Sequence, residues 1–123
     1  MKIKLNQIYR AEPVLRKLTG QEMPIKIAYR IQKAIHNVQE EYARIEKLRM
    51  ELVQKYGEEK EQKMQVKQEN VMQFAKEFAE LLEEDVDLKC ERLDIDALPD
   101  SIQMTVQDLE NLGFLIKPNK EHD

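Results

Sequence analysis

The pattern of apolar positions is most regular between residues 24 and 56, where steps of three and four repeat. The repeating residues are Ala28, Ile31, Ile35, Val38, Tyr42 and Ile45. Such spacing keeps one face of a helix apolar over almost three heptads. Proline is tolerated in a first helical turn, so the helix is expected to start at Pro24 and to close at Tyr56 and Gly57. A helix of about 32 residues is on the order of 48 Å long.

A second apolar stripe, between residues 69 and 84, predicts the partner of this long helix. The stripe consists of Val71, Ala75, Phe78 and Leu82. A helix of about 48 Å exceeds the diameter of a compact domain of this size, so part of it needs cover. We therefore expect an antiparallel helix pair, with Leu48 and Leu52 continuing the seam of the long helix where Arg49 interrupts it. The competing arrangement is a coiled-coil dimer through the uncovered end of the long helix.

The first twenty residues predict a short strand followed by a broken helix. Residues 2–5 alternate polar and apolar, which is typical of a strand, and Asn6 is placed to cap the helical turn that follows. Pro13 lacks an amide donor and clashes with the preceding turn. Residues 7–18 are therefore expected to form two short helices, the second starting near Pro13. Gly20 suits a left-handed C-cap.

Period-two alternation predicts a small antiparallel sheet that joins the N-terminal strand to the second half of the chain. Val86, Leu88 and Cys90 alternate with charged residues, and the alternation resumes after Arg92. This pattern predicts a strand with a bulge, or two short strands, within residues 85–98. Residues 101–104 are the expected hairpin partner. Residues 58–63 predict a charged turn, and residues 64–67 a short bridge or strand.

A capping box predicts one more short helix near the C-terminal end of the sequence. Thr105 and Asp108 stand three residues apart, ahead of apolar Leu109 and Leu112. The helix is expected to stop at Gly113. Residues 114–116 are too apolar for a free tail and are expected to dock on the core, whereas residues 118–123 are expected to fray.

These elements predict a mainly helical α+β fold in a single domain over residues 1–117. The long central helix packs antiparallel on a second helix, and a small antiparallel sheet combines the N-terminal strand with the 86–104 region. The charged fraction of 36% suits long helices with solvated faces. No apolar run approaches the roughly 18 residues of a membrane span, no secretory h-region is present, and Cys90 is a lone cysteine. A cytoplasmic protein without membrane contact is therefore expected.

Charge is distributed unequally along the chain. Residues 1–56 carry twelve Lys and Arg against six Asp and Glu, whereas residues 57–123 carry eight against eighteen. Either the basic half packs on the acidic half, within one molecule or in an oligomer, or the basic half forms a surface for nucleic acid. The second hypothesis is disfavoured by the acidic pI of about 5.3. The candidate interaction surface consists of Lys26, Arg30 and Lys33, extended by Arg44, Lys47 and Arg49.

No catalytic or cofactor-binding pattern emerges from the remaining chemistry. His36 and His122 have no nucleophile or carboxylate at a spacing that indicates a dyad, and glycine-rich phosphate loops are absent. Cys90 is expected to point toward the core as an inert thiol rather than to act as a nucleophile. Adjacent acidic residues such as Glu40 and Glu41 point to different helix faces and indicate solvation rather than metal binding. We therefore expect a protein without enzymatic activity, cofactor or small-molecule substrate.

The order of short motifs along the chain resembles a family of small uncharacterised proteins from phages and prophages of Gram-positive bacteria. The motifs are KIKL at 2–5, LRKL at 15–18, MPIK at 23–26, VQKYGE at 53–58, VKQEN at 66–70 and FAKEFAELL at 74–82, with a closing segment at 108–116. The resemblance covers nearly the whole chain. It implies a phage-related origin, a setting in the host cytoplasm or the virion, and a protein that works by contacting other proteins.

Together, these observations predict a non-enzymatic phage or prophage protein that acts through protein–protein interaction. Its partner would be a second copy or another protein, and its role that of an accessory assembly factor or a modulator of a host protein. The alternative is a nucleic-acid-associated regulator that uses Lys26, Arg30 and Lys33.

Overall fold

The computed structural model describes residues 1–117, which form a mainly helical α+β fold. The elements in chain order are β1 (Lys2–Lys4), α1 (Leu5–Leu18), α2 (Ile25–Tyr56), β2 (Gly57–Lys60), β3 (Lys63–Val66), α3 (Val71–Leu82), β4 (Asp85–Asp87) and α4 (Val106–Asn111). Short 3-10 turns cover Gln68–Asn70, Ile95–Ala97 and Gly113–Leu115. The predicted fold class is confirmed.

The predicted long helix is confirmed as α2, which has 32 residues. Pro24 precedes the helix as its N-cap, and its carbonyl accepts hydrogen bonds from the amides of Ile27 and Ala28. The apolar seam faces the core, with Ile31, Ala34, Val38 and Ile45 buried and Ile35 and Tyr42 partly buried. Near the end of α2 the buried residue is Val53, whereas Leu48 stays 41% exposed. The prediction that Leu48 and Leu52 continue the apolar seam is therefore wrong for Leu48, whereas Leu52 is partly buried.

The N-terminal helix is one continuous element, so the predicted break at Pro13 is wrong. Pro13 lies on the exposed face of α1, where water can satisfy the carbonyl that loses its amide partner. The opposite face is buried in the core through Ile8, Ala11, Val14, Leu15 and Leu18. Burial of this face on α2 and α3 outweighs the local cost of the proline.

Both predicted caps of this helix are wrong as well. Lys4, not Asn6, is the N-cap, and its amide donates a 2.9 Å hydrogen bond to the side-chain oxygen of Gln7. Gly20 does not adopt a left-handed conformation. Instead, the hydroxyl of Thr19 donates to the carbonyl of Arg16 at 2.6 Å and closes the last turn.

Helix α3 runs back along the C-terminal half of α2, as predicted. The side-chain amide of Asn70 donates to the carbonyl of Tyr56 at 3.1 Å, and the phenol of Tyr56 donates to the carboxylate of Glu77 at 2.7 Å. Helix α1 is the more extensive partner of α2, which the sequence pattern does not indicate. Rings of the three helices meet in one cluster, with Tyr9 stacked on Tyr42 at 5.6 Å and edge-on to Phe78 at 5.4 Å.

Two small antiparallel sheets complete the fold. In the first, β1 pairs with β4 and Ile3 lies opposite Val86, which confirms the predicted pairing of the N-terminal strand. In the second, β2 and β3 form a hairpin whose turn residues Glu61 and Gln62 both have positive φ. This conformation is that of a type I′ turn.

The predicted hairpin between residues 85–98 and 101–104 is wrong. Residues 88–94 form no regular helix or strand, and Leu93 forms an isolated parallel bridge with Ile116. The backbone groups of Leu93 bond Leu115 and Lys117, so residues 101–104 have no strand to pair with. The predicted capping box of Thr105 and Asp108 is confirmed. Leu115 is fully buried, as the apolar closing segment predicts, and the predicted fraying of residues 118–123 lies outside the described residues.

Candidate functional site

A cavity of about 800 Å³ lies between the N-terminal half of α2 and residues 89–93. We call it the basic groove. Its lining carries five cations and one carboxylate. The cations are Lys26, Arg30, Lys33, Lys89 and Arg92, and the carboxylate is Glu91.

Long-range contacts hold residues 89–93 in place beside α2. Leu88 is 3% exposed, and its amide donates to the carbonyl of Met1 at 2.8 Å. At the other end, the bridge between Leu93 and Ile116 fixes the chain. The buried side chain of Ala34 lies on the lining of the groove between α2 and this segment.

The α2 wall of the groove exposes apolar side chains among its cations. Ile25 is 84% exposed and Tyr29 is 59% exposed. The ammonium of Lys33 lies 5.6 Å from the ring centroid of Tyr29, within the range of a cation–π contact. We call this wall the basic ridge, which consists of Ile25, Lys26, Tyr29, Arg30 and Lys33.

Only half of the six predicted interaction residues meet at this site. Lys26, Arg30 and Lys33 share the ridge, and none of them forms an ion pair with a residue of 1–117. In contrast, Arg44 pairs with Glu41 at 2.8 Å and Arg49 pairs with Glu46 at 3.0 Å, while Lys47 lies on α2 outside the groove.

Other residues of the groove were not predicted from the sequence, among them Ile25, Tyr29, Lys89 and Arg92. Ile25 and Tyr29 stand four residues apart and lie off the predicted seam, and this spacing is a signal that could have found them. Lys89 and Arg92 come from an irregular segment that only the tertiary fold brings to α2, so no local pattern indicates them.

Cys90 lies half-buried on the wall of the groove opposite the ridge. Its thiol lies 3.5 Å from the carbonyl of Glu91, to which it donates a hydrogen bond. Burial raises the pKa of this thiol above its ordinary value of 9.0, and neighbouring Asn37 acts in the opposite direction. The thiol is therefore protonated at neutral pH, when a strong nucleophile would be ionised.

A second, smaller cavity of about 460 Å³ lies between α2 and α3 and has the opposite charge. We call it the acidic groove. Its apolar lining residues are Leu48, Leu52 and Leu81, and its carboxylates are Glu51, Glu77, Glu80 and Glu84. Glu77 accepts hydrogen bonds from Tyr56 at 2.7 Å and Lys55 at 3.2 Å, and both lower the pKa of its carboxyl, the bond from Tyr56 more strongly. The other three carboxylates form no ion pair with residues 1–117.

Comparisons of the chain with protein-family models, curated proteins and solved structures returned no match. Fold and site together define a mainly helical α+β protein with a basic groove at one end of a long helix and an acidic groove at the other. The similarity to phage and prophage proteins stays a prediction. Within residues 1–117, no helix is long and apolar enough to cross a membrane, and no group of three or more His, Cys, Asp or Glu could hold a metal ion.

Proposed function

We propose that this protein is a non-enzymatic interaction factor that binds a protein partner through the basic ridge. The observation that carries the proposal is that three cations, Lys26, Arg30 and Lys33, form no ion pair with residues 1–117 and flank exposed Ile25 and Tyr29. Aromatic anchors combined with Arg are typical of the centre of a protein interface.

The ion pairs formed by the other charged side chains support this proposal. Four of the seven ion pairs between side chains of residues 1–117 join the basic half to the acidic half; they are Lys2–Asp85, Lys4–Glu83, Lys17–Asp108 and Lys55–Glu77. These pairs neutralise part of the charge asymmetry within the molecule. The basic ridge is a cationic region that remains available to a partner.

The proposed setting is that of a phage or prophage protein in the host cytoplasm or the virion, as the order of short motifs implies. In that setting the protein serves as an accessory assembly factor or as a modulator of a host protein. Both roles require a binding surface and no reaction chemistry.

Capture from cells tests the proposal. The tagged full-length chain is used as bait in lysates of infected or induced host cells, beside the ridge-reversed variant Lys26→Glu/Arg30→Glu. The matched control is Lys60→Glu/Lys63→Glu, which reverses two exposed lysines that face each other across the β2–β3 hairpin. We expect the wild type and the control to retain the same partner and the ridge-reversed variant to lose it. Equal capture by all three proteins would contradict the proposal.

Nucleic-acid binding by the same ridge is the second candidate, favoured by the three cations and by the exposed ring of Tyr29. The net charge of −4 and Glu91 in the groove oppose a long polyanion. A salt titration with random-sequence DNA decides between the candidates. Affinity that falls steeply with salt and disappears in the ridge-reversed variant would support this candidate, and absent or salt-independent binding would eliminate it.

A further inference from the structure

We infer that the partner of the basic ridge is a second copy of this chain, which docks its acidic groove on the ridge. The inference rests on the proposed function, because it names the partner of the same surface. The basic ridge and the acidic groove match each other in shape, in apolar contact and in charge, and this match supports the inference.

The shapes match because one surface projects and the other is recessed. Ile25 and Tyr29 stand four residues apart on one helix face and protrude into solvent. The acidic groove is a shallow channel between two helices, lined by the side chains of Leu48, Leu52 and Leu81. An exposed helix face that places apolar side chains at this spacing into an apolar groove is a common mode of protein recognition.

The charges match in number as well as in sign. Lys26, Arg30 and Lys33 flank the apolar anchors of the ridge. The acidic groove contributes three carboxylates without an ion pair in residues 1–117, namely Glu51, Glu80 and Glu84. Complementary potentials of this kind favour encounter and fix the orientation of the two partners.

One molecule cannot satisfy both surfaces by itself. Tyr29 and Leu52 belong to the same uninterrupted helix, α2, and their separation along its axis is on the order of 35 Å. The ridge must therefore meet the acidic groove of another copy.

The resulting contact is head to tail, because two different surfaces meet. Each copy carries one ridge and one acidic groove. Two copies can therefore close a reciprocal dimer, and if that geometry does not close, association continues to a larger ring or a growing chain. We therefore expect a dimer or a larger oligomer at high protein concentration, in keeping with a role in assembly.

Light scattering of the full-length chain after size exclusion measures this association directly. At about 0.1 M salt we expect the mean mass to rise with protein concentration, and at about 1 M salt we expect it to fall toward the monomer, because the Debye length shrinks from about 10 Å to about 3 Å. A monomer at every concentration and both salt levels would overturn the inference.

Reversal of charge on either surface locates the contact. The ridge-reversed variant is Lys26→Glu/Arg30→Glu, and the groove-reversed variant is Glu80→Lys/Glu84→Lys. We expect each to weaken self-association on the order of 100-fold, since like charges then face each other. The hairpin control Lys60→Glu/Lys63→Glu should associate like the wild type.

Mixing the two reversed variants provides the decisive measurement. The ridge-reversed variant retains an intact acidic groove, and the groove-reversed variant retains an intact ridge, so an equimolar mixture should form complexes although neither variant associates alone. A folding defect cannot produce such rescue. If the wild type associates but the mixture remains monomeric, the inference is overturned.

The failure of this inference differs from the failure of the proposed function. If the wild type is monomeric but captures another protein through an intact ridge, the second-copy inference fails and the proposed function stands. If ridge reversal alters neither self-association nor capture, the second-copy inference and the proposed function both fail. Ridge-dependent association that appears only with added DNA would also overturn the inference in favour of nucleic acid.

Discussion

The ammonium of Lys17 lies 3.1 and 3.2 Å from the two carboxylate oxygens of Asp108 and so ties α1 to α4. Asp108 is 7% exposed, and the same carboxylate accepts a hydrogen bond from the amide of Thr105, the first residue of the capping box. One side chain therefore holds the start of α4 and anchors this helix to the basic half of the chain.

This arrangement predicts how stability depends on pH. The bond from the Thr105 amide, and then the bond from Lys17, lower the pKa of Asp108 below its ordinary value of 3.8. The folded state thus favours the ionised carboxyl. The stability that this carboxylate contributes is fully present above the ordinary pKa and is lost as the pH falls through the lower pKa of the folded state. Urea unfolding between pH 2 and pH 6 should show a shallower loss of stability at low pH in Asp108→Asn than in the wild type.

The control for this measurement is Asp100→Asn, since the Asp100 side chain makes no hydrogen bond or ion pair with residues 1–117. Asp100→Asn should follow the wild-type profile. Equal acid profiles for Asp108→Asn and the wild type would show that the carboxylate does not supply the expected linkage.

A second prediction concerns Gly57, where α2 passes directly into β2. A Cβ at this position would meet the carbonyl of Val53 and would lie 2.7 Å from the carbonyl of Gln65. Both atoms belong to the backbone and cannot rotate away, so Gly57→Ala should lower the free energy of unfolding by about 2 kcal/mol or more. Gly20→Ala is the control, because its Cβ would have no atom nearer than 3.8 Å. Thermal unfolding measures the melting temperatures of Gly57→Ala and Gly20→Ala. Similar values would show that the junction between α2 and β2 has room for a Cβ at residue 57.

The fold is predictable from sequence wherever several local signals agree. Over α2, the start at Pro24, the apolar seam and the stop at Gly57 all coincide. The rule for Pro13 fails because it considers one turn of helix alone, whereas burial of the opposite face of α1 decides the outcome. In the β2–β3 hairpin, the strand predicted at residues 64–67 corresponds to β3, but the charged turn predicted over residues 58–63 is wrong because β2 extends to Lys60. The turn itself consists of Glu61 and Gln62 at positive φ, a conformation normally taken by Gly or Asn, so the local sequence does not indicate it.

The candidate site shows the same division between local and long-range information. Helical spacing alone brings Lys26, Arg30 and Lys33 together. Arg44 and Arg49 are less suited to a partner, because each follows a glutamate by three residues and pairs with it, a relationship visible in the sequence. The opposite wall of the groove depends on the bridge between Leu93 and Ile116, which no local pattern indicates.

A third prediction concerns the aromatic cluster that joins α1, α2 and α3. Phe78 packs edge-on against Tyr9 and is half-buried. Phe78→Ala should therefore lower the free energy of unfolding by about 2 kcal/mol, less than the 3–5 kcal/mol that is typical of a fully buried phenylalanine. Met72→Ala on the same helix is the control, since Met72 is 87% exposed and its loss should change stability by less than about 0.5 kcal/mol. Equal effects in urea unfolding would mean that α3 is not held by this cluster.

The reactivity of Cys90 supplies the last prediction, and its readout is simple because the chain has one cysteine. Burial raises the pKa of the thiol above 9.0, so at any pH near neutrality the folded protein contains less thiolate than the unfolded chain. Since the thiolate is the reacting species, modification by an aromatic disulfide reagent should be slower in the folded protein. The midpoint of its rate against pH should also lie higher than that of the same chain in urea. Slow access alone would lower the rate without moving the midpoint, and an unshifted midpoint would contradict the pKa assignment.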